Sequence, residues 1–227
     1  RSGLMHLITE PGCPPAAQRA GTIDTAAATH LVAGILAALL NREKTGEGQE
    51  IEVSLFHTGV WTLASDIQAA LLGREPIPND RTKAHNPVWN SYLTKDSRWI
   101  WLAMLQPNAY WPAFCAAIEM PELEKDPRFD SIETRAENRE ALIHIIDGVI
   151  ASKTRKEWER IFRENNVLCG RSQTPAEVVS DPQALANGFF TEVKHPEAGE
   201  LKLVASPVKF HQKPAKIKTT APEIGQH

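Results

Sequence analysis

Eight histidines, three cysteines and a scatter of carboxylates are the side chains in this 227-residue sequence that could ligate a metal, attack an electrophile or move a proton. A helical zinc site needs histidines about one turn apart with further ligands nearby, but no histidine pair is so spaced and no His-Glu-x-x-His occurs. His30, His57 and His85 are therefore expected to be packed or surface residues, and no metal is expected. Cys13, Cys115 and Cys169 are far apart and odd in number, which fits neither a disulfide framework nor a zinc spacing. Cys169 stands in Val-Leu-Cys-Gly without an adjacent histidine, and no Gly-x-Ser-x-Gly elbow is present, so a buried structural thiol is expected. Glu122/Glu124 and Asp126/Asp130 flank prolines and read as solvated loop charges. Gly46-Glu47-Gly48 is too short for a phosphate loop and follows a helix, as a tight turn does. Trp89, Trp99, Trp101 and Trp111 crowd together, either as a ligand-facing wall or as core.

The elements that must carry these residues follow from composition and pattern. With 42% apolar and 23% charged residues the chain has an ordinary globular balance, and a net charge of -3 gives no reason to expect nucleic acid. The longest apolar stretch, Ala26 to Leu40, is interrupted by Thr29 and His30, so no membrane span is expected. The sequence begins at Arg1 with no signal peptide, as a trimmed protein or a piece of a longer one would, and cysteine usage suggests a reducing, cytoplasmic setting.

After a proline-bearing loop of twenty residues, an alanine-rich helix is predicted over Thr25 to about Asn41, capped by Asp24 or Thr25 and stopped at Gly46. Its small residues suggest close packing against a sheet or another helix. Alternation in Glu50 to Leu55 predicts a strand, and Phe56 to Leu72 a helix ending at Gly73. A linker is placed at Glu75 to Pro87. Strands follow at Ser91 to Lys95 and Trp99 to Met104, joined by Asp96-Ser97. Helices are predicted over Pro107 to Ala117, Arg135 to Ser152 and Thr154 to Asn165, the last with a Thr154/Glu157 capping box that recurs as Thr174/Glu177 before a short helix to Val179. Phe189 to Lys209 is strand-like, and Lys213 to His227 reads as a surface-wrapping tail. The residues themselves give an α/β protein and no readable chemistry.

Several separated stretches add to that reading. Thr29-His30 through Gly48-Gln49, continuing Glu-Ile-Glu-Val-Ser-Leu55, resembles the helix-turn-strand signature of class III CoA-transferases, the CaiB/BaiF family that includes formyl-CoA transferase. Tyr92-Leu-Thr-Lys-Asp-Ser-Arg-Trp-Ile100 resembles its hairpin, and Asp126-Pro-Arg-Phe129 with Arg135 and Asn138-Arg139 its third mark. His195-Pro, Ser206-Pro207-Val208 and Ala221-Pro222 fit the family's ending. The resemblance implies a partial CoA-transferase large α/β domain, a smaller α+β domain and a C-terminal segment returning to the large one, here 1–75, 76–187 and 188–227. It implies an interlocked homodimer, acyl-CoA and carboxylic acid substrates, and no permanently bound cofactor besides coenzyme A as substrate.

The family's nucleophile is an aspartate a few residues before the Ser-Gly that matches Ser2-Gly3, which puts it upstream of Arg1. No catalytic residue is therefore expected in this chain, and the isolated chain is expected to be inactive. The family's mobile loop, glycine-rich in the formyl-CoA enzyme, corresponds to Asn86-Pro-Val-Trp-Asn90, without glycine. Asn86, Trp89 and Asn90 are its candidate substrate-contacting side chains on a stiffer loop; an ordinary pre-strand loop is the other reading. Gln106 stands where related 2-methylacyl-CoA racemases carry a glutamate, and an amide cannot take up a proton as a carboxylate does. A racemase and a non-catalytic dimerisation or lid module are the alternatives.

Overall fold

The computed structural model describes residues 1–74, 80–211, 213–215, 217, 219, 221, 222 and 224–226; part of the expected 75–87 linker and part of the tail lie outside them. A short helix α1 (Leu4–Leu7) falls inside the stretch expected to be loop. Helix α2 (Thr22–Thr45) starts earlier than the pattern indicated, from Gly21, so Asp24 and Thr25 lie within it; the Thr25 hydroxyl donates back to the Gly21 carbonyl at 2.9 Å. At its other end Gly46, with φ 76, donates its amide to Arg42 O at 2.8 Å, a left-handed stop that glycine adopts without penalty.

The expected close packing of α2 is seen at Gly34. A side chain at Gly34 would meet Ile51 Cγ2 at 3.0 Å, so glycine lets the returning chain lie on the helix. Elsewhere α2 is open: only Ala27 is buried, and Leu31, Val32, Ile35, Leu36, Leu39 and Leu40 are exposed. Contrary to the expectation from its broken apolar run, α2 is long and apolar enough, by length and composition alone, to cross a membrane.

The strand expected at Glu50 to Leu55 does not form. The segment is extended, but among the described residues no strand lies beside it, and an extended chain without a ladder partner is not a strand. Ser54 instead caps α3 (Leu55–Thr62), accepting from the His57 amide. The single helix predicted to Leu72 is two, α3 and α4 (Ala64–Leu71), parted at Leu63, whose φ of -104 and ψ of 26 leave the helical region.

The main core belongs to the middle of the chain. Strands β1 (Trp89–Leu93) and β2 (Trp99–Ala103) pair antiparallel with Tyr92 opposite Ile100, turning through Ser97 at φ 56. A third strand, β3 (Cys169–Arg171), adds to β2 with Cys169 opposite Leu102. The inner face presents Tyr92, Ile100 and Leu102 to α5 (Pro107–Ala117), α7 (Arg139–Ile150) and α8 (Arg155–Glu164). There Trp158 stacks on Phe162 at 5.1 Å and donates its indole N–H to Ile150 O at 2.8 Å, which satisfies the one polar atom of a fully buried side chain. Each such apolar side chain contributes roughly 1.5–3 kcal/mol on leaving water.

The predicted Arg135 to Ser152 helix is broken at Asn138. There α6 (Ile132–Glu137) ends and α7 begins, and the Asn138 amide donates to Thr134 O at 3.0 Å and Arg128 O at 3.3 Å. The stretch from Asp126 to Arg139 is thereby a structural bracket. Phe129 enters the core, Asp126 clasps Arg128 at 2.6 Å, and Arg135, 1% exposed, donates to Phe129 O and Asn108 with its guanidinium over Trp111. Both capping boxes form, at α8 and at α9 (Pro175–Val178), followed by α10 (Pro182–Ala186). The C-terminal segment carries a hairpin, β4 (Phe190–His195) with β5 (Gly199–Val204), and a short pair, β6 (Lys209–Phe210) with β7 (Lys213–Pro214).

Candidate functional site

The loop before β1 is held at both ends. Arg81 joins Asp147 at 2.6 Å and donates Nε to Ser91 O at 3.1 Å, fixing the approach to the loop. The Asn86 amide donates to Met104 O at 3.0 Å, and its side-chain oxygen accepts from the Val88 amide. Met104 N donates to Val88 O, Trp89 N to Asn86 O, and the buried Tyr92 hydroxyl to Pro87 O at 2.6 Å. Burial pushes the Tyr92 phenol far above its ordinary pKa, so it stays a donor. A loop without glycine and with this many partners is stiff.

The four predicted site residues do not all converge. Asn86 secures the loop against the strand end that leads to Gln106, and Gln106 is exposed at the start of α5. Trp89 stands on the outer face of the sheet, 39% exposed, edge-on to Trp101 at 6.0 Å. Asn90 points inward: it is 2% exposed and its amide donates to Arg81 O at 2.8 Å, so it braces the loop. Of the clustered tryptophans only Trp111 joins the core; Trp89 and Trp99 are exposed and Trp101 is half-buried.

A concavity lies between α2 and α3, where His30, Glu52, Ser54, His57, Thr58 and Trp61 line a cavity of about 260 Å³. His30 Nδ1 lies 2.8 Å from Ala26 O, and because a carbonyl only accepts, Nδ1 is the donor there. Trp61 meets that ring edge-on at 6.5 Å. This grouping was not legible beforehand, because the two histidines are 27 positions apart with no shared pattern. Beside it, the N-terminal residues sit on α3: a side chain at Gly59 would come within 2.8 Å of Ser2 Cβ.

Other titratable groups are committed to structure. Burial pushes the Cys115 thiol up to about 12 and the Cys169 thiol up to about 11, so neither is a ready thiolate. Glu177 accepts from the Thr174 amide and Arg155, which hold its carboxyl down at about 2. Arg155 and Arg171 share Glu159, and Arg171 reaches Asp181, so β3, α8, α9 and α10 are tied by one chain of ion pairs. Among the described residues no group of three or more His, Cys, Asp or Glu is placed to hold a metal ion.

Comparison with known proteins places these features. CoA-transferase family III matches residues 1–227. The (R)-2-hydroxy-4-methylpentanoate CoA-transferase of Clostridioides difficile is 34% identical over 227 residues, taking in 100% of this chain and 57% of that protein. The cinnamoyl-CoA:phenyllactate CoA-transferase of Clostridium sporogenes is 30% identical over 230 residues, with 100% and 56% covered. A CaiB/BaiF family crystal structure from Brucella suis has the same fold, with a TM-score of 0.82 at 23% identity over 100% of this chain and 58% of that one. The chain thus spans little more than half the length of these relatives, and the expected fold class holds: part of a large α/β domain, a smaller α+β domain and a C-terminal segment.

Proposed function

This chain belongs to CoA-transferase family III, and from that premise we propose that it forms the C-terminal part of an enzyme moving coenzyme A between an acyl-CoA and a carboxylic acid. The observation that carries this reading is the end-to-end match to relatives named for that reaction. The reacting aspartate is proposed to lie shortly before Ser2-Gly3, so the 227 residues alone are catalytically incomplete.

In the proposed reaction the aspartate oxygen attacks the donor thioester carbonyl, the C–S bond breaks and CoA leaves as thiolate, giving a mixed anhydride. The thiolate attacks the aspartyl carbonyl and the donor carboxylate departs, leaving an aspartyl-CoA thioester. The acceptor carboxylate attacks that thioester, releasing thiolate and forming a second anhydride. Attack of the thiolate on the acceptor acyl carbonyl then regenerates the aspartate. The covalent intermediates split one difficult transfer into several easier steps. The anhydrides must be shielded from water, and a stiff loop braced by Asn86, Asn90 and Tyr92 suits a fixed cover. Gln106 can hydrogen-bond but not accept the α-proton as a carboxylate would, which favours transfer over epimerisation. Exposed Trp89 and the relatives' branched and aryl acids favour a bulky acid partner. A homodimer, a cytoplasmic setting and the division at about residues 75 and 187 belong to the same proposal.

The test is mass-spectrometric CoA exchange with a panel of branched, aryl and short acids. Exchange by a chain extended upstream through the aspartate, and none by residues 1–227, is expected. Exchange by residues 1–227 alone overturns the assignment of the nucleophile, and α-epimerisation without exchange overturns the transferase.

A further inference from the structure

We propose that Gly59 is a positioning residue for the reacting carboxylate, because its missing side chain lets Ser2 seat directly on α3 and so fixes where the preceding chain departs. The inference rests on the proposed function, in which the aspartate lies a few residues before Ser2. A Cβ at Gly59 would stand 2.8 Å from Ser2 Cβ and 2.9 Å from Ser2 Oγ, closer than such atoms come, and no other atom outside its own helix and neighbours lies within 4 Å. Gly59 is buried, and α3 beneath it is rigidly made: Ser54 caps it, and the Thr58 and Thr62 hydroxyls donate back to Ser54 O and Thr58 O at 2.9 and 2.8 Å.

On the other side of Ser2 the chain is equally fixed. Gly3 takes φ 98, a conformation costly to other residues, and its carbonyl accepts from the His6 and Leu7 amides at 3.0 and 3.1 Å. Ser2 is therefore held between a turn and a helix surface, and a displacement there passes straight to the residues before Arg1. Covalent catalysis tolerates little such displacement: misplacing a reacting group by about 1 Å costs on the order of 100-fold in rate.

The test uses the chain extended upstream through the aspartate. Gly59→Ala is expected to lower kcat by about 10-fold or more with KM for acyl-CoA little changed. Alanine favours a helix over glycine, so a purely helical role predicts no loss. Ser2→Gly removes both clashing atoms, and the S2G/G59A double variant is expected to recover the activity of Ser2→Gly alone. An unchanged kcat in Gly59→Ala, or the same loss in the double variant, overturns the proposal. If the unmutated extended chain exchanges no CoA, the proposed function is what fails. The seat itself is then read in residues 1–227 by amide exchange at His6 and Leu7, which is expected to be faster in Gly59→Ala and restored in the double variant; unchanged exchange overturns it.

Discussion

Replacing Tyr92 by Phe removes one oxygen from a fully buried ring and tests whether the loop before β1 is held as the hydrogen bonds indicate. The Tyr92 hydroxyl donates to Pro87 O at 2.6 Å inside the protein, where water does not replace it. Phenylalanine keeps the ring and its packing against Ile100 and Leu102, so no large cavity term enters. The cost is one net hydrogen bond, about 1 kcal/mol, plus part of the penalty for leaving the Pro87 carbonyl buried and unmet, for a total of about 2 kcal/mol. With a urea slope of roughly 2 kcal/mol per molar, the midpoint falls by about 1 M. The transition is followed by tryptophan fluorescence, since Trp111 and Trp158 lie in the same core. A midpoint moved by less than about 0.2 M at unchanged slope refutes the argument, because the carbonyl must then find another donor at no cost.

Thr154→Ala removes one half of the capping box at α8, where Thr154 and Glu157 each satisfy the other's amide, and is expected to cost about 1 kcal/mol, read as a lower thermal midpoint. Glu177 is held well below its ordinary 4.5, at about 2, so its contribution is complete above pH 4.5 and is lost as pH falls toward 2; Glu177→Gln should flatten the stability curve across that acid window, and an unaltered curve argues against the ion-pair chain. At pH 8 a disulfide reagent is expected to label Cys13 in the native chain, with Cys115 and Cys169 reacting only after denaturation; rapid native labelling of Cys169 contradicts its structural role.

Local signals were legible where one residue and its near neighbours decide the outcome. Thr154/Glu157 and Thr174/Glu177 are complete capping devices within four residues, and Pro107 and Gly46 mark a start and a stop by backbone chemistry alone. Tertiary partners decide the rest. Ile51, Val53 and Leu55 alternate as a strand does, yet among the described residues no strand lies beside them, while Cys169-Gly-Arg171 alternates in nothing and is a strand because β2 offers an edge. The inward turn of Asn90 depends on the Arg81 carbonyl, and the seat of Ser2 on Gly59 depends on a helix more than fifty positions away. The family motif at Asp126 to Arg139 was recognisable in sequence, but only the buried Arg135 guanidinium, donating to Phe129 O, explains it as architecture.

The pairing of β2 with β3 sets an order of events for the newborn chain. The β1–β2 hairpin closes across five residues and can form as soon as it emerges, whereas Leu102 must wait for Cys169. Bringing those distant ends together costs about 2 kcal/mol more in loop-closure entropy than turning the hairpin. Until then one edge of β2 has open backbone groups beside exposed Trp89 and Trp99, a surface suited to pairing with the wrong chain. The three residues of β3 thus cover that side of β2 late, and a ribosome that stalls before residue 169 leaves a nascent domain in which it is still unpaired.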